Sequence, residues 1–140
     1  MRDYEFKNLN HYCAGYEIIL NGGELSKGYK PDVVLQNKQN YIILESEHSS
    51  SRKHIMGGMM KAARFLTNNK HGVLVVVIQI KKNTNVDQIQ KHLIQYLDWI
   101  KNITNLRDVY IISDIDYCNG SDETPIELLK ARFKALSVKV

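Results

Sequence analysis

Asp32, Glu45 and Glu47 are the residues whose types and spacing point most directly to chemistry. Asp32 opens the apolar run Val33-Val34-Leu35, and Glu45 and Glu47 close a second one, Tyr41-Ile42-Ile43-Leu44. A polar turn through Asn37 to Asn40 separates the runs, the pattern of two antiparallel strands joined as a hairpin. The start of one strand then lies beside the end of the other, which brings all three carboxylates to one rim of a sheet. Residues two apart on a strand share a face, so Glu45 and Glu47 project together while the Ser46 side chain turns away. Anions gathered this way repel one another unless a cation lies between them. Magnesium takes oxygen ligands, often one or two carboxylates completed by water and a substrate phosphate. Asp32 and Glu45 are the candidate metal ligands, with the Ser46 backbone carbonyl as a third, and manganese is the expected substitute ion. Glu47 is left to bind a second ion or to orient an attacking water as a base.

The elements that must position this rim follow from periodicity. Phe6, Leu9 and Cys13 keep helical spacing, which predicts a helix over Asp3–Ala14 with Gly15 as its stop. Tyr16–Leu20 reads as a short strand, and Pro31 suits the start of the first hairpin strand. After Ser49-Ser50-Ser51, a helix is expected from Arg52 to Leu66, with Ile55, Met59, Ala62 and Leu66 as its apolar stripe. Gly57-Gly58 interrupts that helix at about 1 kcal/mol per glycine, which marks close approach of a neighbouring strand or of a ligand. Val73–Ile80 is apolar on both faces and reads as a central strand. Asn83-Thr84-Asn85 caps a helix expected to run from Val86 to about Thr104, followed by a strand at Asp108–Ser113, a polar loop at Asn119–Glu123 and a helix from Pro125 through Lys134. The result is an α/β three-layer sandwich, a central mixed β-sheet flanked by helices.

The 140 residues form one domain by size, 44% hydrophobic and 24% charged, as in an ordinary soluble protein. No apolar run approaches the ~20 residues of a membrane span. The N-terminus has no signal-peptide core, and Cys13 and Cys118 read as reduced thiols, so the expected location is cytoplasmic. The net charge of +4 leans mildly toward a polyanionic partner. Its distribution says more. No acidic residue occurs between Glu47 and Asp87, an interval that carries Arg52, Lys53, Lys61, Arg64, Lys70, Lys81 and Lys82. Arg52, Lys53, Lys61 and Arg64 are the candidate DNA contacts. His11, His48, His54, His71 and His92 show no zinc spacing. Tyr29 is either a packed core ring or one that stacks on a base.

Pro31-Asp32, twelve intervening residues and Glu45-Ser46-Glu47 resemble the motif of the PD-(D/E)XK nuclease superfamily, the restriction-endonuclease-like fold. The family's core order, a helix, three strands, a helix and a strand, is similar to residues 3–80. The last motif position is usually lysine in that family and is Glu47 here, a variant that a minority of Type II restriction enzymes carry and remain active. The resemblance implies a magnesium-dependent DNA endonuclease that hydrolyses phosphodiester bonds, like a small Type II restriction enzyme. With one site per domain, cutting both strands implies a homodimer or a partner subunit. Lys53 or Lys30 would supply the displaced lysine, and Glu5 is the one glutamate of the first helix that matches a further family position. Two other readings fit the same residues: a Holliday-junction-type resolvase, and a non-catalytic nucleic-acid-binding subunit that keeps the fold.

Overall fold

The computed structural model describes residues 2–49, 51–119 and 123–140. The chain runs α1 (Asp3–Lys7), β1 (Glu17–Asn21), β2 (Val33–Asn37), β3 (Asn40–Glu47), α2 (Arg52–Phe65), β4 (His71–Ile78), α3 (Val86–Ile100), β5 (Leu106–Ser113), α4 (Asp114–Cys118), α5 (Ala131–Leu136) and β6 (Val138–Lys139). The strands form one six-stranded sheet in sequence order, β1 to β6. The β2–β3 hairpin is antiparallel, with Val33 opposite Leu44 and Asn37 opposite Asn40. From β3 onward the long crossovers through α2 and α3 make β3–β4 and β4–β5 parallel. The sheet is therefore mixed and open.

Side-chain alternation sends successive residues of each strand into two separate cores. One core holds Ile43, Leu74, Val76 and Ile78 against Ile55, Met59 and Ala62 of α2 and Ile89, Leu93 and Leu97 of α3. The other holds Ile42, Leu44, Val75 and Val77 against Phe6 of α1, Tyr117 of α4 and Phe133 of α5. Helices thus cover both faces of the α/β sheet, an arrangement compatible with a three-layer sandwich. β4 is buried from Gly72 to Ile78, as a central strand must be. Among the described residues no helix is long and apolar enough to cross a membrane.

Three expectations need correction. The first helix ends at Lys7 rather than Ala14. Beyond it Leu9, His11 and Cys13 are buried while Asn10 and Tyr12 are exposed, the alternation of extended chain. Leu9 and Cys13, four apart, share a face in a helix and in extended chain alike, so their spacing does not separate the two conformations. The last helix starts at Ala131, not Pro125. Leu129 lies in the left-handed region (φ 64), which breaks any helix from Pro125, and the buried Ile126 and Leu128 dock as irregular chain. The third helix ends at Ile100 instead of Thr104, leaving Ile103 exposed in a turn. Two elements went unforeseen: α4, capped by the Ser113 hydroxyl accepting from the Asp116 N–H, and β6, which pairs antiparallel with β5. Of the expected helix-cap serines and the polar loop, Ser50 and Gly120, Ser121 and Asp122 lie outside the described residues.

Candidate functional site

The hairpin register carries Asp32, one residue before β2, to a position opposite Glu45. The two are tied together by the backbone as well. Asp32 Oδ2 accepts a 2.7 Å hydrogen bond from the Ser46 N–H, and a backbone hydrogen bond from Asp32 reaches the Glu45 carboxylate. The Ser46 backbone thus contacts Asp32 through its N–H, a role distinct from the carbonyl ligand expected of it. Lys7 Nζ of α1 lies 3.8 Å from Asp32 Oδ1.

A cleft of about 620 Å³ opens on the α2 side of this rim. Glu45 and Glu47 line it from β3, and Lys53, His54, Gly57, Gly58 and Lys61 line it from α2. The loop before β2 closes it with Gly28, Tyr29 and Lys30. Lys53, Gly57 and Lys61 follow one another at intervals of four, so the helix presents them as a single row. The two neighbouring glycines answer the sequence question differently. A Cβ at Gly58 would stand 3.1 Å from Glu45 Oε2, so α2 passes directly over that carboxylate. A Cβ at Gly57 would meet nothing within 4 Å and would project into open space.

Burial governs the electrostatics. It pushes the Glu45 carboxyl up to about 7, reinforced by the negative charges of Asp32 and Glu47 and opposed by Lys61. Burial also raises Asp32 above the usual carboxylate range, against the pull of the Ser46 N–H, Lys7 and His48. Glu47 is raised by burial too, with His54 opposing. Among the described residues no ion pair closes on Glu45 or Glu47, although lysines line the same cleft.

The fit to a divalent ion can be judged from the donors. Among the described residues no three His, Cys, Asp or Glu side chains are grouped to hold one metal. Asp32 and Glu45 instead offer the one or two carboxylates that magnesium uses when water and phosphate complete its octahedron. The donor set suits magnesium in that manner, an added positive charge offsetting the burial and, after it, the carboxylate repulsion that raise the Glu45 pKa.

The other sequence candidates disperse. Arg52 lines a separate depression with Gln88, Lys91 and His92 at the α2–α3 junction. Arg64 lines another, with Ser26, Lys27 and Lys70 at the far end of α2. Neither lines the carboxylate cleft: Arg52 points off the helical row that Lys53 and Lys61 share, and Arg64, although on that row, lies beyond Lys61 toward the C-terminal end of α2. Glu5 is engaged in capping its own helix, its Oε2 accepting from the Arg2 N–H at 2.9 Å. Lys7 and His54 escaped the sequence reading. Lys7 carried no signal, since its approach to Asp32 depends on where α1 docks. His54 follows the nominated Lys53 and borders the cleft one helical turn before Gly58.

No family model, no curated protein and no solved structure matches this chain.

Proposed function

We propose that this protein is a metal-dependent deoxyribonuclease with a restriction-endonuclease-like core, hydrolysing phosphodiester bonds at the Asp32–Glu45 rim. The observation that carries the reading is the juxtaposition of Asp32 and Glu45 beside a cleft lined by Glu45 and Glu47, which have no ion-pair partner among the described residues, together with Lys53 and Lys61. Phosphodiester hydrolysis needs an activated water, charge balance at phosphorus and a stabilised leaving oxygen. Asp32 and Glu45 would hold magnesium, or manganese in its place, which when bound supplies Lewis acidity and lowers the pKa of a coordinated water. Lys53 and Lys61 neutralise the phosphate oxygens, and Lys30 faces them from the loop side. Glu47 orients the attacking water and takes its proton as the new P–O bond forms and the bond to the leaving oxygen breaks. Lys7 holds Asp32 in place from outside the cleft.

Each domain contains one such rim, so a homodimer or a partner subunit would be needed to cut both strands of a duplex. The direct test incubates the protein with supercoiled, linear and four-way-junction DNA, in magnesium and in a chelator. Metal-dependent cutting that is lost in Asp32→Asn and Glu45→Gln, with DNA binding retained, is the expected result. Preference for the junction would shift the reading to a resolvase of branched DNA. Binding with no metal-dependent cutting would leave a non-catalytic subunit.

A further inference from the structure

Two features unfavourable to the free protein occur in residues that line the same cleft, Tyr29 and Gly57. Tyr29 is 4% exposed, yet its hydroxyl has no hydrogen-bond partner among the described residues. A buried polar group without a partner is unfavourable and calls for a reason. Nothing in the packing supplies one: the ring belongs to the same core as Val34 and Ile43, and phenylalanine would fill that place without the hydroxyl. The second feature is Gly57, a glycine inside a 14-residue helix, where alanine is preferred and where space for a methyl group is open. Gly58 differs, because a side chain there would crowd the Glu45 carboxylate. Both Tyr29 and Gly57 line the cleft, and Lys53 and Lys61 stand one helical turn to either side of Gly57.

We propose that Tyr29 and Gly57 form the seat for one phosphate group of a bound nucleic-acid strand. The Tyr29 hydroxyl donates to a phosphate oxygen, and the bare Gly57 backbone lets the strand reach the helix surface between Lys53 and Lys61. The identity of the ligand as a phosphodiester rests on the nuclease reading; the existence of the seat rests on the cleft itself. Tyr29 is on this assignment a binding residue, and its hydroxyl gains in the complex the partner it lacks in the free protein.

The test compares Tyr29→Phe, Gly57→Ala and Gly57→Leu with the wild type by thermal melting and by anisotropy of a fluorescein-labelled duplex. Titrations are run in magnesium and in a chelator, with the integrity of the duplex checked on a gel. Tyr29→Phe and Gly57→Ala are expected to melt at or above the wild-type temperature. Each is expected to weaken duplex binding about tenfold, the worth of one hydrogen bond to a charged group or of one lost close approach. Gly57→Leu weakens it further. A lower melting temperature in Tyr29→Phe, or unchanged binding in either Tyr29→Phe or Gly57→Ala, would overturn the seat, as would a wild type that does not bind the duplex. The two proposals fail separately. A wild type that binds through these residues but never cuts refutes the nuclease and leaves the seat standing. A wild type that cuts, with variants that bind as it does, refutes the seat alone.

Discussion

Two buried tyrosines on opposite faces of the sheet have opposite fates. Tyr117 sits among Phe6, Ile42 and Leu44, and its hydroxyl meets His11 Nδ1 at 2.7 Å. His11 Nε2 in turn contacts the Phe6 carbonyl at 2.6 Å. A carbonyl can only accept, so Nε2 carries the proton and Nδ1 accepts from Tyr117. Both ring nitrogens of that histidine are satisfied, and burial lowers its pKa to about 4, holding it neutral. Tyr29, on the α2 face, has a hydroxyl with no such partner among the described residues and lies beside carboxylates whose ionisation burial opposes. The first face is closed on itself and serves the fold. Among the described residues the second is left with one unmet donor, two acids, Glu45 and Glu47, without an ion-pair partner, and a bare helix turn, groups that a charged ligand would complete.

The two faces should answer pH in opposite directions. Glu45 keeps its proton in the folded state up to about 7, whereas the unfolded chain releases it near 4.5. Stability present below pH 4.5 is therefore lost as the pH rises through 7, by about 3 kcal/mol. His11 runs the other way: its folded pKa of about 4 lies below the ordinary 6.5, so its stability is present above 6.5 and lost as the pH falls through 4. The two slopes offset one another in the wild type. Glu45→Gln should unmask the histidine, giving urea-unfolding free energies that climb with pH between 4 and 6.5 by about 3 kcal/mol. An equally flat profile in Glu45→Gln would show that the Glu45 side chain is not held protonated by its burial.

Removing a hydroxyl should separate the tyrosines next. Tyr117→Phe strands the buried His11 Nδ1 and is expected to destabilise the protein by about 2 kcal/mol in urea unfolding, leaving duplex binding unchanged. That outcome is the reverse of the one expected for Tyr29→Phe. Equal destabilisation by both would make Tyr29 another structural tyrosine.

The smallest effect belongs to Gly58→Ala. The added methyl gains about 1 kcal/mol of helix preference, and the Glu45 carboxylate gives way by a few tenths of an ångström. Stability should therefore change by less than about 1 kcal/mol, while magnesium affinity falls because Glu45 has been displaced. Calorimetric titration of magnesium into the two proteins in the presence of duplex DNA checks both signs.

How much of this was legible in the sequence differs by element. The hairpin and its acids were plain, because two apolar runs and a polar turn specify antiparallel neighbours and the period of two fixes which side chains share a face. α2 and α3 were legible from their apolar stripes. The stretch after Lys7 was not, since Leu9 and Cys13 continue the helical spacing of Phe6 while lying in non-helical chain. β6 was also hidden, because a two-residue strand such as Val138-Lys139 is defined by its partner β5 and by nothing in its own pattern. At the site, Lys53, Lys61 and the glycine pair were visible as residue types. The Lys7–Asp32 contact and the unpartnered Tyr29 hydroxyl were not, because both depend on how distant segments dock.

The most direct measurement is a manganese titration followed by electron paramagnetic resonance of the free ion, with and without duplex DNA. It is made on the wild type, Asp32→Asn, Glu45→Gln and Tyr117→Phe. The expected result is saturable binding in the wild type and Tyr117→Phe that is lost in both carboxylate variants. Equal binding in all four proteins, or none in the wild type even with DNA, would contradict a metal site at the Asp32–Glu45 rim.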